Sequence, residues 1–274
     1  MLYGLDIDAG GTWFGTTRDG LVAMLTNVNE ASVLRTATGD TPRSRGELVR
    51  DWLLKSQANA DVQAYLDAVH ACADAYSGFN LLVGVTTDGN ATLGYVSNRP
   101  DPINDTMLEV GHAVYGLSNS TLSTPWPKVA KGEQLLCVAL DTCKDEASLI
   151  EALFGMLRYV PTGADPSWTA GPVRSASEMQ NTIRVEPFLF PSSVDRTRRL
   201  SEEDSAAYAA RNEPCPMGWY GTRTSTVLLI TRETPPRAIY VERDVYQLGL
   251  GHEPPTLIER HDERHERRYE WVLA

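Results

Sequence analysis

Two Asp-Gly pairs set between apolar runs constrain this chain more than any other feature. Arg18-Asp19-Gly20 separates Phe14 from the run Leu21 to Leu25, and Asp88-Gly89 separates Phe79 to Val85 from Ala91 to Val96. Asp-Gly suits the positive-φ backbone of a tight hairpin turn, so each pair predicts two antiparallel strands. The first hairpin, Gly10 to Asn27, has almost no chain ahead of it. A two-stranded hairpin alone is marginal in water, so the expectation is a fold whose opening strands are absent from this sequence.

Helical signals lie between and after the hairpins. Ser44-Arg45-Gly46-Glu47 precedes Leu48, Val49, Trp52 and Leu53, a capping-box pattern at the start of an amphipathic helix. Val62, Tyr65, Leu66, Val69, Cys72 and Ala73 share one side of a second helix expected over about 60–75. Val110 to Tyr115 is expected as a strand that delivers Gly116-Leu117-Ser118-Asn119 at its end. Two more helices are expected over 128–140 and 146–159, the second with a stripe of Leu149, Ile150, Leu153, Phe154 and Leu157.

Residues 161–182 read as loop, and 191–211 as a polar excursion with one short helix near 202–210. Thr224 to Ile230 and Ala238 to Val241 form a strand pair around the turn Arg232–Pro236, and 251–265 is a charged connection. Tyr269, Trp271 and Leu273 alternate with Glu270 and Val272, which predicts a last strand with one face better buried. The whole order predicts one α+β domain over 1–274 with antiparallel sheet, irregular over about 161–214.

The formal net charge of −11 repels a phosphate backbone and argues against a nucleic-acid partner. No apolar run approaches the length of a membrane span, and residues 1–20 lack the basic start and apolar core of a secretory signal. Cys72, Cys137, Cys143 and Cys215 have no ligand-like spacing and read as buried small hydrophobes in a reducing compartment, with a reactive thiol as the alternative. His261 and His265 sit in a charged run that reads as exposed chain, weighed against a zinc site, and His70 reads as a helix-surface residue. A phosphate-cradling glycine loop and a nucleophile elbow are missing.

Three segments carry candidate chemistry. Leu25-Thr26-Asn27 ends a strand on an amide, which either supports an oxyanion or forms a turn. Tyr115-Gly116-Leu117-Ser118-Asn119 groups a hydroxyl and an amide after an apolar run, as a pocket rim would. Tyr220-Gly221-Thr222-Arg223-Thr224 sets an arginine among hydroxyls. Arg223 suits either the grip of a carboxylate or a structural ion pair. The candidate pocket residues are therefore Asn27, Asn119, Arg223, Ser118 and Thr222.

These segments, together with Gly10-Gly11-Thr12-Trp13-Phe14-Gly15, Arg43-Ser44-Arg45-Gly46-Glu47, Gly78-Phe79-Asn80-Leu81, Pro125-Trp126-Pro127-Lys128 and Glu242-Arg243, span nearly the whole chain. In this order they closely resemble the family named for an Asn-Arg-Asp-Glu motif, which includes the transport and Golgi organization protein 2 homologues and bacterial relatives. The resemblance implies an N-terminal-nucleophile-hydrolase-like αββα sandwich of antiparallel sheets. Family members typically begin Met-Cys and carry the motif shortly after. Met1 of this chain corresponds to a point beyond both, so the expectation is an N-terminally incomplete member without a catalytic residue.

By the same resemblance, Asn27 corresponds to an oxyanion-supporting amide, Asn119 to a second pocket amide and Arg223 to an arginine near the nucleophile. The implied function is non-catalytic intracellular trafficking and homeostasis: haem mobilisation, lipid homeostasis, Golgi organisation and secretion. Haem is then a transient cargo rather than an intrinsic cofactor. The implied location is cytoplasmic, mitochondrial or Golgi-associated, with peripheral membrane contact and a lipid or small-molecule ligand as partners. The alternative is an N-terminal cysteine amidohydrolase of linear amides in a full-length form. Loss of a strand pair would expose core and sheet edge, so the chain as given is expected to be inactive as an amidase and poorly soluble or molten.

Overall fold

A computed structural model describes residues 1–7, 9–29, 42–87, 90–103, 106–111, 113–161, 178–191, 217–247, 254–259 and 263–273. The Asp88-Gly89 turn, Cys215, His261, most of the 161–182 loop and the helix expected near 202–210 lie outside these residues. The chain begins with strands β1 (Leu2–Tyr3), β2 (Phe14–Thr16) and β3 (Leu21–Asn27), then helices α1 (Gly46–Leu53) and α2 (Val62–Ala71). Strands β4 (Phe79–Thr87), β5 (Asn90–Ser97) and β6 (Thr106–Leu108) precede α3 (Pro127–Thr142) and α4 (Glu146–Leu157). Strands β7 (Phe188–Pro191), β8 (Met217–Tyr220), β9 (Thr224–Ile230) and β10 (Arg237–Asp244) follow. The last are β11 (Tyr246–Gln247), β12 (Thr256–Leu257) and β13 (Glu266–Val272).

Two compact units divide the chain: Met1–Cys137 with Leu228–Tyr240 and Tyr269–Ala274, and Val138–Val227 with Val241–Arg268. The first holds a six-stranded sheet in the order β1-β2-β3-β4-β5-β6, each neighbour antiparallel to the last. One face carries Leu21, Ala23, Leu25, Leu81, Val83, Val85 and Val96 against Leu48, Val49, Trp52 and Leu53 of α1 and Val62, Leu66 and Val69 of α2. Leu82, Tyr95 and Leu108 cluster on the other face with Leu93, Leu117 and Leu122. Strand β4 is thus covered on both sides, which is why Phe79 to Val85 reads as a continuous apolar run instead of an alternating one.

Both hairpins form as the Asp-Gly pattern predicts, β2 with β3 and β4 with β5. Gly20 adopts φ 86°, a conformation that disfavours a side chain. β1 pairs with β2 through Leu2↔Thr16 and Tyr3↔Gly15, so the first hairpin has a short neighbour strand.

The start of α1 differs from the expected capping box. Its N-cap is Arg45, with no side-chain cap hydrogen bond. Glu47 takes the Arg43 guanidinium at 2.7 Å instead, and a charge-assisted bond of that kind outcompetes a neutral one from the backbone. This helix end rests directly on the Gly10-Gly11 bend. Thr12 donates its N–H to the Gly46 carbonyl at 3.2 Å, and a Cβ on Gly46 would stand 2.8 Å from the Thr12 nitrogen. Neither backbone can yield without moving α1 off the sheet. Gly46→Ala is expected to cost about 2 kcal/mol, read as a fall in the urea midpoint at constant m value.

The strand expected over Val110 to Tyr115 lies earlier, at β6. Gly111 at φ 123° breaks the extended path, and the Tyr115 hydroxyl accepts the Glu109 N–H at 3.1 Å. Helices α3 and α4 form close to their expected ranges, and Asp145 and Ser148 build a reciprocal capping box on α4.

In the second unit β7 pairs with β8 and β11 with β12, two short antiparallel ribbons that local pattern does not announce. The remaining sheet has the order β13-β10-β9, and the division between the units falls within all three strands. Strand β13 alternates only in part: Leu273 beyond its end is buried, but Tyr269 is 46% exposed.

Candidate functional site

Strand β3 ends at Asn27, which continues the period of Leu21, Ala23 and Leu25 toward the helix-covered face. The segment Ser118-Asn119-Ser120 wraps this strand end. Thr26 Oγ1 donates to the Ser118 carbonyl at 2.5 Å, and Asn29 N donates to the Asn119 carbonyl at 2.7 Å. The Asn119 side-chain amide donates to the Asn27 main-chain carbonyl at 3.0 Å, while the Ser118 hydroxyl lies 3.4 Å from Asn119 Oδ1. Three of the five sequence-derived residues, Asn27, Ser118 and Asn119, are therefore brought together. Among the described residues, Asn27 Oδ1 and the Ser120 hydroxyl are buried without a hydrogen-bond partner. A buried acceptor left open in this way costs free energy unless a donor reaches it.

The cluster stands on Asn80, which is fully buried in β4 opposite Thr26. Its Nδ2 lies within bonding distance of Thr26 Oγ1 (3.0 Å), the Ser120 carbonyl (2.8 Å) and the Ser118 carbonyl (3.4 Å). Its Oδ1 accepts from the hydroxyl of buried Tyr95 at 2.8 Å, and that hydroxyl also lies 3.0 Å from Asp101. Burial acts to raise the Asp101 carboxyl, but donors from Ile103, Ser123 and Tyr95 outweigh it and hold the group below its usual range. Neither Tyr95 nor Asp101 was singled out by the sequence. The signal for Asn80 was present, as the lone amide in an otherwise apolar strand.

Thr222 and Arg223 belong to the second unit. The Thr222 hydroxyl accepts the Val185 N–H at 2.9 Å, and its own N–H returns to the Val185 carbonyl at 3.0 Å. Its side chain thus fastens the backbone. Arg223 is exposed, its carbonyl accepts from Val245 N at 2.7 Å, and no ion pair of its guanidinium is found among the described residues. The paired guanidinium is Arg243. It bonds Glu266 at 2.6 Å and Glu151 at 2.5 Å, and lies 4.1 Å from the centroid of the Phe154 ring. Beside it Arg267 spans Glu242 at 2.8 Å and Asp244 at 2.6 Å. The Arg267 bond, then its charge, holds the Asp244 carboxyl low.

The other candidates are scattered. Arg45 bonds the Gly78 carbonyl at 2.9 Å, Arg99 the Asn98 carbonyl at 2.7 Å, and His70 is exposed on α2. The expectation of buried cysteines is corrected: Cys137 is exposed on α3, and Cys72, just past α2, and Cys143, between α3 and α4, are only half-buried, since the helix-end and linker positions are not enclosed by the core. Among the described residues no group of three His, Cys, Asp or Glu side chains could hold a metal ion, and no helix is long and apolar enough to cross a membrane.

The family model described as Transport and Golgi organisation 2 matches residues 1–247. The human transport and Golgi organization protein 2 homologue is 33% identical over 264 residues, covering 92% of this chain and 79% of the relative. The bovine homologue is 32% identical over 260 residues, covering 93% and 79%. A mouse homologue is 32% identical over 236 residues, covering 84% and 72%. The match runs through the Asn27 strand end, the Ser118-Asn119 segment, the Thr222-Arg223 turn and the Glu242-Arg243 pair. The chain belongs to the Transport and Golgi organisation 2 family.

Proposed function

We propose that this protein acts without catalysis in intracellular trafficking and homeostasis, in the haem, lipid, Golgi and secretory processes that the family resemblance implies. The observation that carries this reading is the family match over residues 1–247, supported by relatives whose names describe transport and Golgi organization. The proposed scaffold is the αββα sandwich of the N-terminal-nucleophile hydrolases, used to hold a ligand. On this reading Asn27, with its open buried acceptor, receives a donor group from a small-molecule or lipid ligand. Haem is a transient cargo, and the protein meets membranes peripherally from the cytoplasm, at mitochondria or Golgi.

In mammalian cells lacking the endogenous homologue, expression of this chain is expected to restore the rate at which a secreted reporter leaves the Golgi. An Asn27→Leu variant of equal abundance is expected to restore it less well. Unchanged reporter retention with the parent chain sinks the trafficking reading. Haem titration is expected to give a shallow, peripheral response, because no axial pair is visible in the sequence.

Hydrolysis of linear amides by an N-terminal cysteine in a full-length form is the second reading, with the Asn27 amide as oxyanion support. It requires free amine to appear from N-acyl amino acids, and turnover lost on Ser118→Ala would displace the non-catalytic reading.

A further inference from the structure

Arg184 carries a buried donor that nothing meets. Its side chain is 14% exposed, and its Nε has no hydrogen-bond partner among the described residues. An N–H left in this way costs free energy, most of all on a charged group. Its Nη2 lies 3.4 Å from a Glu186 carboxylate oxygen, a loose contact. Elsewhere in the same unit such bonds close to 2.6 Å, at Arg243–Glu266 and at Arg267–Asp244. Nε and Nη2 form the edge with which an arginine grips two oxygens of one anion. Glu186 thus touches one tine of that fork and leaves the other open.

A second guanidinium is held beside it. Arg158 ends α4, and the N–H groups of Ile183 and Arg184 both donate to the carbonyl of the next residue, Tyr159, at 3.2 and 3.0 Å. Arg158 Nη2 donates to the Ile258 carbonyl at 2.6 Å, just past the ribbon in which buried Tyr246 pairs with Leu257. Burial, then the charges of Arg184 and Arg243, push the Arg158 guanidinium below its ordinary value. Arg243 already has Glu151 and Glu266 as partners. Burial pushes the Tyr246 phenol up, against the charge of Arg184, so its O–H remains a donor at neutral pH.

We propose that Arg184, Arg158 and Tyr246 form a binding site for a phosphate monoester, which takes the place of the Glu186 carboxylate. Two guanidiniums match the charge of a dianion. Donors arriving from three chain segments suit the several oxygens of a tetrahedral group better than the two of a planar carboxylate. The Glu186 side chain is 36% exposed, so it can swing into solvent and open its place to a ligand. The net charge of −11 does not forbid the site, because distant charges are screened beyond a Debye length of about 8 Å. The phosphate is carried by a soluble ester or by a lipid headgroup.

Calorimetric titration with inorganic phosphate, at neutral pH and with ionic strength held by sodium chloride, is expected to show one saturable site. Arg184→Gln and Arg158→Gln should each weaken it roughly tenfold or more, the loss of a charged hydrogen bond. Glu186→Gln should tighten it roughly threefold, because the competing carboxylate is gone. Circular dichroism melts check that each variant folds, and Glu186→Gln decides the matter if an arginine variant does not. Heat that never saturates overturns the proposal, as does an affinity unchanged in a folded arginine variant. So does a Glu186→Gln protein that binds phosphate no more tightly than the parent. Flotation with phosphatidylcholine vesicles, with or without phosphatidic acid, separates the two sources. Capture by phosphatidic acid alone, reversed by excess phosphate, assigns the headgroup; saturable phosphate binding without capture assigns a soluble ester.

Discussion

Replacing Trp52 by alanine is expected to destabilise the protein by about 4 kcal/mol, the largest effect of any single substitution considered. Trp52 is fully buried among the side chains of α1, α2 and the six-stranded sheet, and its ring lies 5.0 Å from that of Tyr65. Its indole N–H donates to the Gly84 carbonyl in β4 at 3.2 Å. Truncation removes the apolar area, opens a cavity between layers that cannot close over it, and strands that carbonyl. Trp52→Phe separates the contributions, since it keeps most of the volume and loses the bond; about 2 kcal/mol is expected there. Urea titration with tryptophan-independent circular dichroism measures both. A loss below about 2 kcal/mol for Trp52→Ala would mean that the layer collapses around the gap.

The second large effect is at Asn80. Asn80→Leu is nearly isosteric, yet a loss of about 3 kcal/mol is expected. The amide serves Thr26 Oγ1, the carbonyls of Ser118 and Ser120, and the Tyr95 hydroxyl, all in a buried setting. Leucine removes the Ser120 carbonyl's donor and one bond each from Thr26, Ser118 and Tyr95, without creating a void. The damage also reaches the candidate site, because the Ser118–Ser120 segment loses its tie to β4. Hydrogen exchange is expected to show faster exchange at Asn29, whose N–H is held by the Asn119 carbonyl. Tyr95→Phe should cost less, about 1 kcal/mol, since Asp101 keeps the backbone donors of Ile103 and Ser123. Equal losses for the two substitutions would place the weight of the network on Tyr95.

Elements whose physics is local were legible in the sequence. The Asp-Gly turns marked the hairpins, and the stripe of Ile150, Leu153 and Phe154 marked α4, because turn chemistry and helical period act over a few residues. The ribbon of β7 and β8 was not legible, since four-residue strands joined through a long polar stretch carry no readable period. The strand expected at 110–115 failed because apolar content says nothing of the positive φ at Gly111. The capping box at Ser44 failed because its Glu47 carboxylate pairs with Arg43 instead. At the site, the approach of Asn119 to Asn27 joins residues 92 apart in sequence and came only from motif order in a family. Arg243 was visible as part of a motif, but its partner Glu151 lies equally far off in sequence. The lone amide at position 80 shows that a polar residue breaking an apolar strand is itself a readable signal.

The membership of the first unit has a consequence for biosynthesis. Residues 1–108 supply the six-stranded sheet with α1 and α2, a stretch that can form while translation continues. The same unit also takes residues 228–240 and 269–274, where Leu273 N donates to the Pro236 carbonyl at 2.8 Å and the Tyr240 and Tyr269 rings lie 6.3 Å apart. Those contacts wait until the ribosome has made and released everything between. Nascent chains of this protein therefore pass through a long interval with the six-stranded sheet formed and the strands of the β13-β10-β9 sheet still missing, and chaperone demand should peak late in synthesis.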